Sequence, residues 1–194
     1  MQNPREEIAG VVSLLTATDN PETQKAAVAR YYAVDVAFKH PLCEVSSSPG
    51  SRDQLLGILQ WYRVLSPTIK IQTNQVTYDE EKAQLFLDIS QEFHIRWSPF
   101  RAAPARLLVH LSLRPSVDDP NLLVISRHED FYHPDDFSTL LLPPLTPLVK
   151  ALLHMGTLAS NVNARIFGLL GYWNANNTKI QQLRPPTESE KSHA

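Results

Sequence analysis

Residues 82–97 carry the clearest alternation in the chain. Ala83, Leu85, Leu87, Ile89, Phe93, Ile95 and Trp97 fall on one side. Lys82, Gln84, Asp88, Ser90, Glu92, His94 and Arg96 fall on the other. A period of two marks a strand with one face buried. Residues 105–114 repeat it, with Leu107, Val109, Leu111 and Leu113 opposite Arg106, His110, Ser112 and Arg114. Residues 68–78 and 122–132 read as two further strands, and the breaks between the four are short. Long consecutive strands joined by short turns pair as an antiparallel meander. An apolar sheet face of this length has to be covered by another layer.

The cover comes from the N-terminal half. Asn3-Pro4 opens a helix, with Asn3 as cap and Glu6 closing a capping box. Its residues Ile8, Val11, Val12 and Leu15 share a face. Asn20-Pro21 repeats the start signal for a second helix running to about Tyr32. A short strand follows at 34–39, stopped by His40-Pro41. Ser51 is expected to cap a third helix, with Gln54 in the box position, and Pro67 ends it. The expected fold is α+β: a cone-like curved antiparallel sheet wrapped on three N-terminal helices, with a pocket between them and a C-terminal amphipathic helical extension.

Composition removes several function classes. At 194 residues the chain is long enough for a core without staples, and a formal net charge of −2 argues against a broad nucleic-acid binder. One cysteine, Cys43, excludes an intrachain disulfide and a multi-cysteine zinc site. Six glycines and no phosphate-cradling loop make a nucleotide fold improbable. Residues 1–18 lack a secretory signal. The expectation is therefore a cytoplasmic protein, not secreted, with peripheral membrane attachment as a variant, and with no cofactor and no metal.

Three segments carry a resemblance: YYAVDVAFKHPLCEV at 31–45, LQWYRVLSP at 59–67 and ISRHEDFYHPDDF at 125–137. They resemble the nuclear transport factor 2 superfamily, which includes SnoaL-like polyketide cyclases, ketosteroid isomerase and scytalone dehydratase. Within it the chain is similar to the fungal SigF-like group. The resemblance covers roughly residues 5–137 and implies a cone fold. It leaves the reaction open, because members place different residues in the same cone. Domains are expected at 1–137 for the cone, 138–178 for the helical extension and 179–194 for a disordered tail.

His128, Asp130 and Tyr132 point to one face of the last strand, and Glu129 to the other. A histidine two residues from a carboxylate suits acid–base work near neutral pH, and the resemblance implies a pocket role for the pair. His40 is the third catalytic candidate, and a turn-closing histidine is its plainer reading. Tyr31, Tyr32, Tyr62 and Tyr132 are candidates to line the pocket, and the resemblance to ketosteroid isomerase implies that Tyr31, Tyr32 or Tyr62 donates to a carbonyl or enolate. Packing in the core is the alternative for those three. Asp35 reads as a helix-end or turn residue. Glu92, His94 and His110 read as solvated or as part of a dimer face, and His94 and His110 are placed to face each other.

After residue 137 the chain changes character. Residues 145–173 give a helical stripe of Leu148, Leu152, Met155, Val162 and Ile166, opposed by Lys150, His154, Asn161 and Arg165. No carboxylate lies between 137 and 187. The helix either covers its own cone as a lid, lies in a membrane interface with Lys150 and Arg165 at the headgroups and Trp173 at the boundary, or contacts a second copy. The expected function is binding of a small hydrophobic or lipid-like molecule in the cone, at a membrane surface in one version. The alternative is a cofactor-independent cyclase, isomerase or dehydratase using the His/Asp pair. The expected partners are thus a small hydrophobic molecule, a membrane surface and a homodimer mate through the sheet, with no nucleic acid.

Overall fold

The computed structural model describes residues 1–172. Trp173, the end of the helical extension at 178 and the tail at 179–194 lie outside the described residues. The chain divides into two compact units, one of Met1–Lys150 and one beginning at Ala151.

The first unit holds α1 (Pro4–Thr16), α2 (Pro21–Tyr31), β1 (Tyr32–His40), β2 (Cys43–Val45), α3 (Ser51–Leu65), β3 (Ile69–Asp79), β4 (Gln84–Phe93), β5 (Pro104–Pro115), β6 (Leu123–Tyr132) and α4 (Pro134–Leu141). A 3-10 turn at Pro143–Leu145 leads into α5 (Thr146–Leu169), which continues into the second unit. The sheet order is β2-β1-β6-β5-β4-β3. β3 to β6 form the expected antiparallel meander. β1 adds to it in parallel with β6, so the six-stranded sheet is mixed. A parallel neighbour requires a long crossover, and residues 41–122, with α3 and the meander's first three strands, provide it.

The inner face of the meander is the core. Leu85, Leu87 and Ile89 of β4 and Val109 and Leu111 of β5 are almost wholly buried against Ile8, Val11 and Leu15 of α1 and Leu55 and Leu59 of α3. Each such side chain contributes about 1.5–3 kcal/mol by leaving water. Bulges bend the sheet into a cone, since an extra residue on one strand increases local twist. The extra residues are Asn74 of β3, between Thr73 and Gln75, and Ser126 of β6, opposite the Ser112–Leu113 step of β5. The orphaned Asn74 amide donates to Ser90 Oγ at 2.9 Å.

Four local expectations are corrected. The alternation at 82–97 extends further than the strand. β4 stops at Phe93 because the His94 and Arg96 N–H groups turn to Ser66 Oγ and Leu65 O at the end of α3, leaving Trp97 exposed. At α1 it is Glu7, not Glu6, that turns back: its Oε1 accepts from the N–H groups of Gln2 and Asn3, and the Asn3 side chain makes no cap bond. At α3 the cap position is Gly50, at φ +85°, and Ser51 is already helical. His94 and His110 do not face each other. His110 stands opposite Phe86 and Glu129, stacked on the ring at 4.6 Å with Nδ1 3.2 Å from Glu129 Oε2.

Asn20 does cap α2, accepting from the N–H groups of Glu22 and Thr23. Asp35 neither ends a helix nor closes a turn. It sits in β1 paired with Arg114, whose guanidinium holds the carboxyl below its ordinary pKa.

Candidate functional site

Between helices and sheet the first unit holds a partly open cavity of about 130 Å³. Its wall is largely apolar, with Val12, Phe38, Leu59 and Ile89 among the lining residues, and Leu140 and Leu141 of α4 complete it. The polar groups gather where β1 and β6 run side by side. Phe38 pairs with His128 and Lys39 with Glu129 in that ladder, so alternation turns Phe38, His40, His128, Asp130 and Tyr132 inward together.

A hydrogen-bonded chain runs along β6 and across to β1. Tyr32 Oη lies 2.8 Å from His128 Nδ1, and His128 Nε2 lies 3.0 Å from Asp130 Oδ1. Burial pushes the Tyr32 phenol well above its ordinary pKa, with the Asp130 charge adding to the effect, so the hydroxyl keeps its proton and donates it to Nδ1. His128 then carries its hydrogen on Nε2 and donates it to the carboxylate. Among the described residues Asp130 Oδ2 has no hydrogen-bond donor, and Asp130 lines the cavity.

Three further polar side chains, His40, Tyr62 and Tyr132, line the same cavity. His40 is buried, and its Nδ1 accepts the Leu42 N–H at 3.2 Å, which places the ring hydrogen on Nε2. Desolvation lowers the His40 pKa; the Asp130 charge opposes that shift and His128 adds to it. The His40 ring packs 5.6 Å from both Tyr62 and Tyr132. Tyr132 Oη accepts from Gln91 Nε2 at 2.6 Å, which leaves its own proton to donate. Tyr62 Oη is 3.7 Å from Cys43 Sγ. Burial raises the pKa of both phenols, so both remain hydroxyl donors.

Of the sequence candidates, His40, His128, Asp130, Tyr32, Tyr62 and Tyr132 therefore meet at one cavity. Tyr31 does not. It turns away from the lining, and the Arg30 guanidinium sits 5.3 Å from its ring centre. Lys150 and Arg165 lie on α5. Sequence reasoning missed Gln91, although a polar residue interrupting the apolar side of the alternation was a usable signal. It also missed Phe137, whose ring lies 5.7 Å from Tyr132 and 6.3 Å from His40.

Residues 1–172 match the family described as the SigF NTF2-like domain. The chain belongs to that family. The SigF NTF2-like match runs past residue 137 through α4 and α5. No curated protein matches the chain. Among solved structures, a Catenulispora acidiphila protein described as hypothetical, with a ketosteroid isomerase-like fold and in complex with trimethylamine, is 13% identical. The match covers 67% of this chain and 90% of that one, at a TM-score of 0.50. A putative isomerase of the SnoaL-like family from Agrobacterium tumefaciens is 14% identical over 66% of this chain and 97% of its own, at 0.49. An LEH-like epoxide hydrolase from M. tuberculosis is 13% identical over 76% and 99%, also at 0.49. At such identity the first likeness speaks for the fold of this SigF NTF2-like domain and not for its chemistry.

Proposed function

We propose that the cone is an acid–base active site for a small, mainly apolar carbonyl compound, acting as an isomerase, dehydratase or cyclase with protein groups alone moving protons. The observation that carries this reading is the convergence of Asp130 with His40, Tyr62 and Tyr132 in an otherwise apolar cavity. A pure carrier of hydrocarbon has no need of a carboxylate in its apolar wall. The volume also bears on the ligand. A cavity of about 150 Å³ holds benzene. One of about 130 Å³ suits a ring-sized molecule rather than a lipid chain.

In this reading Asp130 Oδ2 removes a proton from the carbon beside the carbonyl. His40 Nε2–H and the Tyr132 hydroxyl hydrogen-bond to the oxygen as negative charge develops there, in a largely apolar site. His128 is a positioning residue: its Nε2–H holds Oδ1 and so aims Oδ2, while Tyr32 fixes the His128 tautomer. The proton held by Asp130 returns to a different carbon in an isomerisation.

The test is deuterium exchange at the α-carbon of small cyclic ketones in heavy water, followed by NMR with the wild-type protein and Asp130→Asn. Exchange above the buffer rate that disappears in the variant supports the proposal. Ligand-induced shifts without exchange in either protein would replace it with the carrier reading, which the apolar lining favours.

A further inference from the structure

From Ala151 to Tyr172 the chain is one helix and a turn, and this unit has no second described element on which to close a core. The helix is amphipathic and rich in exposed apolar residues. Along α5, Leu152, Met155, Val162 and Ile166 share one stripe, Leu153, Leu158 and Phe167 widen the apolar surface beyond it, and Lys150, His154 and Arg165 lie off the stripe. Gly156 and Gly168 lower its intrinsic helicity. An isolated helix of this kind frays in water, so its apolar side requires a surface.

Charge decides which surface. Residues 137–187 include Lys150, Arg165, Lys179 and Arg184 and not one carboxylate, although the whole chain has 20 Asp and Glu. A contact with another protein face tolerates both signs. A surface of anionic headgroups repels carboxylates and attracts each Lys or Arg. No described helix is long and apolar enough to cross a membrane, so the helix lies along the surface and does not span it. Tyr172, just past its end, has the amphipathic ring favoured at headgroup depth. We infer that α5 is an in-plane contact for an anionic lipid surface. This inference does not rest on the catalytic reading of the cone.

The full chain is pelleted with vesicles of phosphatidylcholine alone and of phosphatidylcholine mixed with phosphatidylserine, at low and high salt. The Leu152→Gln/Ile166→Gln and Lys150→Gln/Arg165→Gln proteins are run beside it. Thermal unfolding checks that the cone is intact in each variant. The expected result is pelleting that needs phosphatidylserine, falls with salt, and is lost in the Leu/Ile double variant. The Lys/Arg variant should bind about twenty-five-fold more weakly, from about fivefold per cation. Three results would overturn the inference: no pelleting with either vesicle, equal pelleting with both, or a wild-type dimer that the Leu/Ile variant dissociates without any vesicle binding. A Leu/Ile variant that lowers the unfolding temperature of the cone while the wild type stays off vesicles would instead assign α5 to packing on its own chain.

Discussion

The Tyr32 hydroxyl and His128 Nδ1 meet at 2.8 Å across 96 residues of sequence, with their rings nearly parallel at 8°. The contact joins the first residue of β1 to the middle of β6 and satisfies the buried Tyr32 hydroxyl and a mostly buried nitrogen of His128. Tyr32→Phe keeps the ring and removes the only donor to Nδ1 among the described residues. A buried acceptor left unpaired costs about 1–3 kcal/mol. Urea denaturation should show that loss with an unchanged m-value. Because the tautomer of His128 is no longer held, exchange at a ketone α-carbon should also fall, with binding of the ketone little altered.

Asp130→Asn removes the base but keeps the side-chain shape and an acceptor for His128 Nε2–H. General-base removal lowers a proton-transfer rate by about 10²–10⁴-fold. The predicted split is a loss in kcat with little change in KM, measured by the same NMR exchange. His128→Gln should give a smaller loss, because it disturbs the aim of the carboxylate and leaves the carboxylate itself in place.

The inward row of His128, Asp130 and Tyr132 was legible because alternation is local: once residues 122–132 read as a strand, the face of each side chain followed. The meander was legible for the same reason. The place of His40 near His128 was implied by the family resemblance and not by any local pattern. It depends on β1 pairing in parallel with β6, across a crossover whose partner no local pattern names. Gln91 was hidden differently. Its neighbours established an apolar side so firmly that a single polar member of that side went unread, yet its amide sets the direction of the Tyr132 proton. Tyr31 failed because the helix-to-strand change falls between it and Tyr32, so adjacent tyrosines obey different periods.

His40 links pH to stability. Burial lowers its folded pKa below the ordinary histidine value of about 6.5. At pH values between the two, the unfolded chain binds more protons than the folded one, so stability rises with pH there. The contribution is present in full above about pH 6.5 and is lost as pH falls through the folded value. His40→Phe should flatten that part of a plot of unfolding free energy against pH. It should also remove one hydrogen bond to the ligand carbonyl, seen as a smaller carbonyl shift in the infrared spectrum of the bound ketone.

Gln91→Leu tests the orientation of Tyr132. Without the amide donor, the phenol oxygen loses its partner at 2.6 Å and the hydroxyl proton is free to turn. The expected outcome is weaker exchange catalysis together with a stability loss of about 1 kcal/mol. Gln91→Glu, which accepts instead of donating, should draw the Tyr132 proton away from the cavity and lower catalysis further than Leu does.

The start of α3 yields a prediction opposite in sign to the one its sequence invites. A serine before a helical run reads as a cap, and losing a cap costs about 1 kcal/mol. Here Ser51 is fully buried and, among the described residues, its hydroxyl has no partner. Ser51→Ala removes an unsatisfied polar group, so the variant should be as stable as the wild type or more so. The sensitive position is Gly50, where φ is +85° and a Cβ meets no other atom within 4 Å. Gly50→Ala therefore suffers from backbone conformation and not from crowding, by about 1–2 kcal/mol. Parallel chemical denaturation of the two variants separates these cases. A destabilised Ser51→Ala beside a neutral Gly50→Ala would return the cap to the serine.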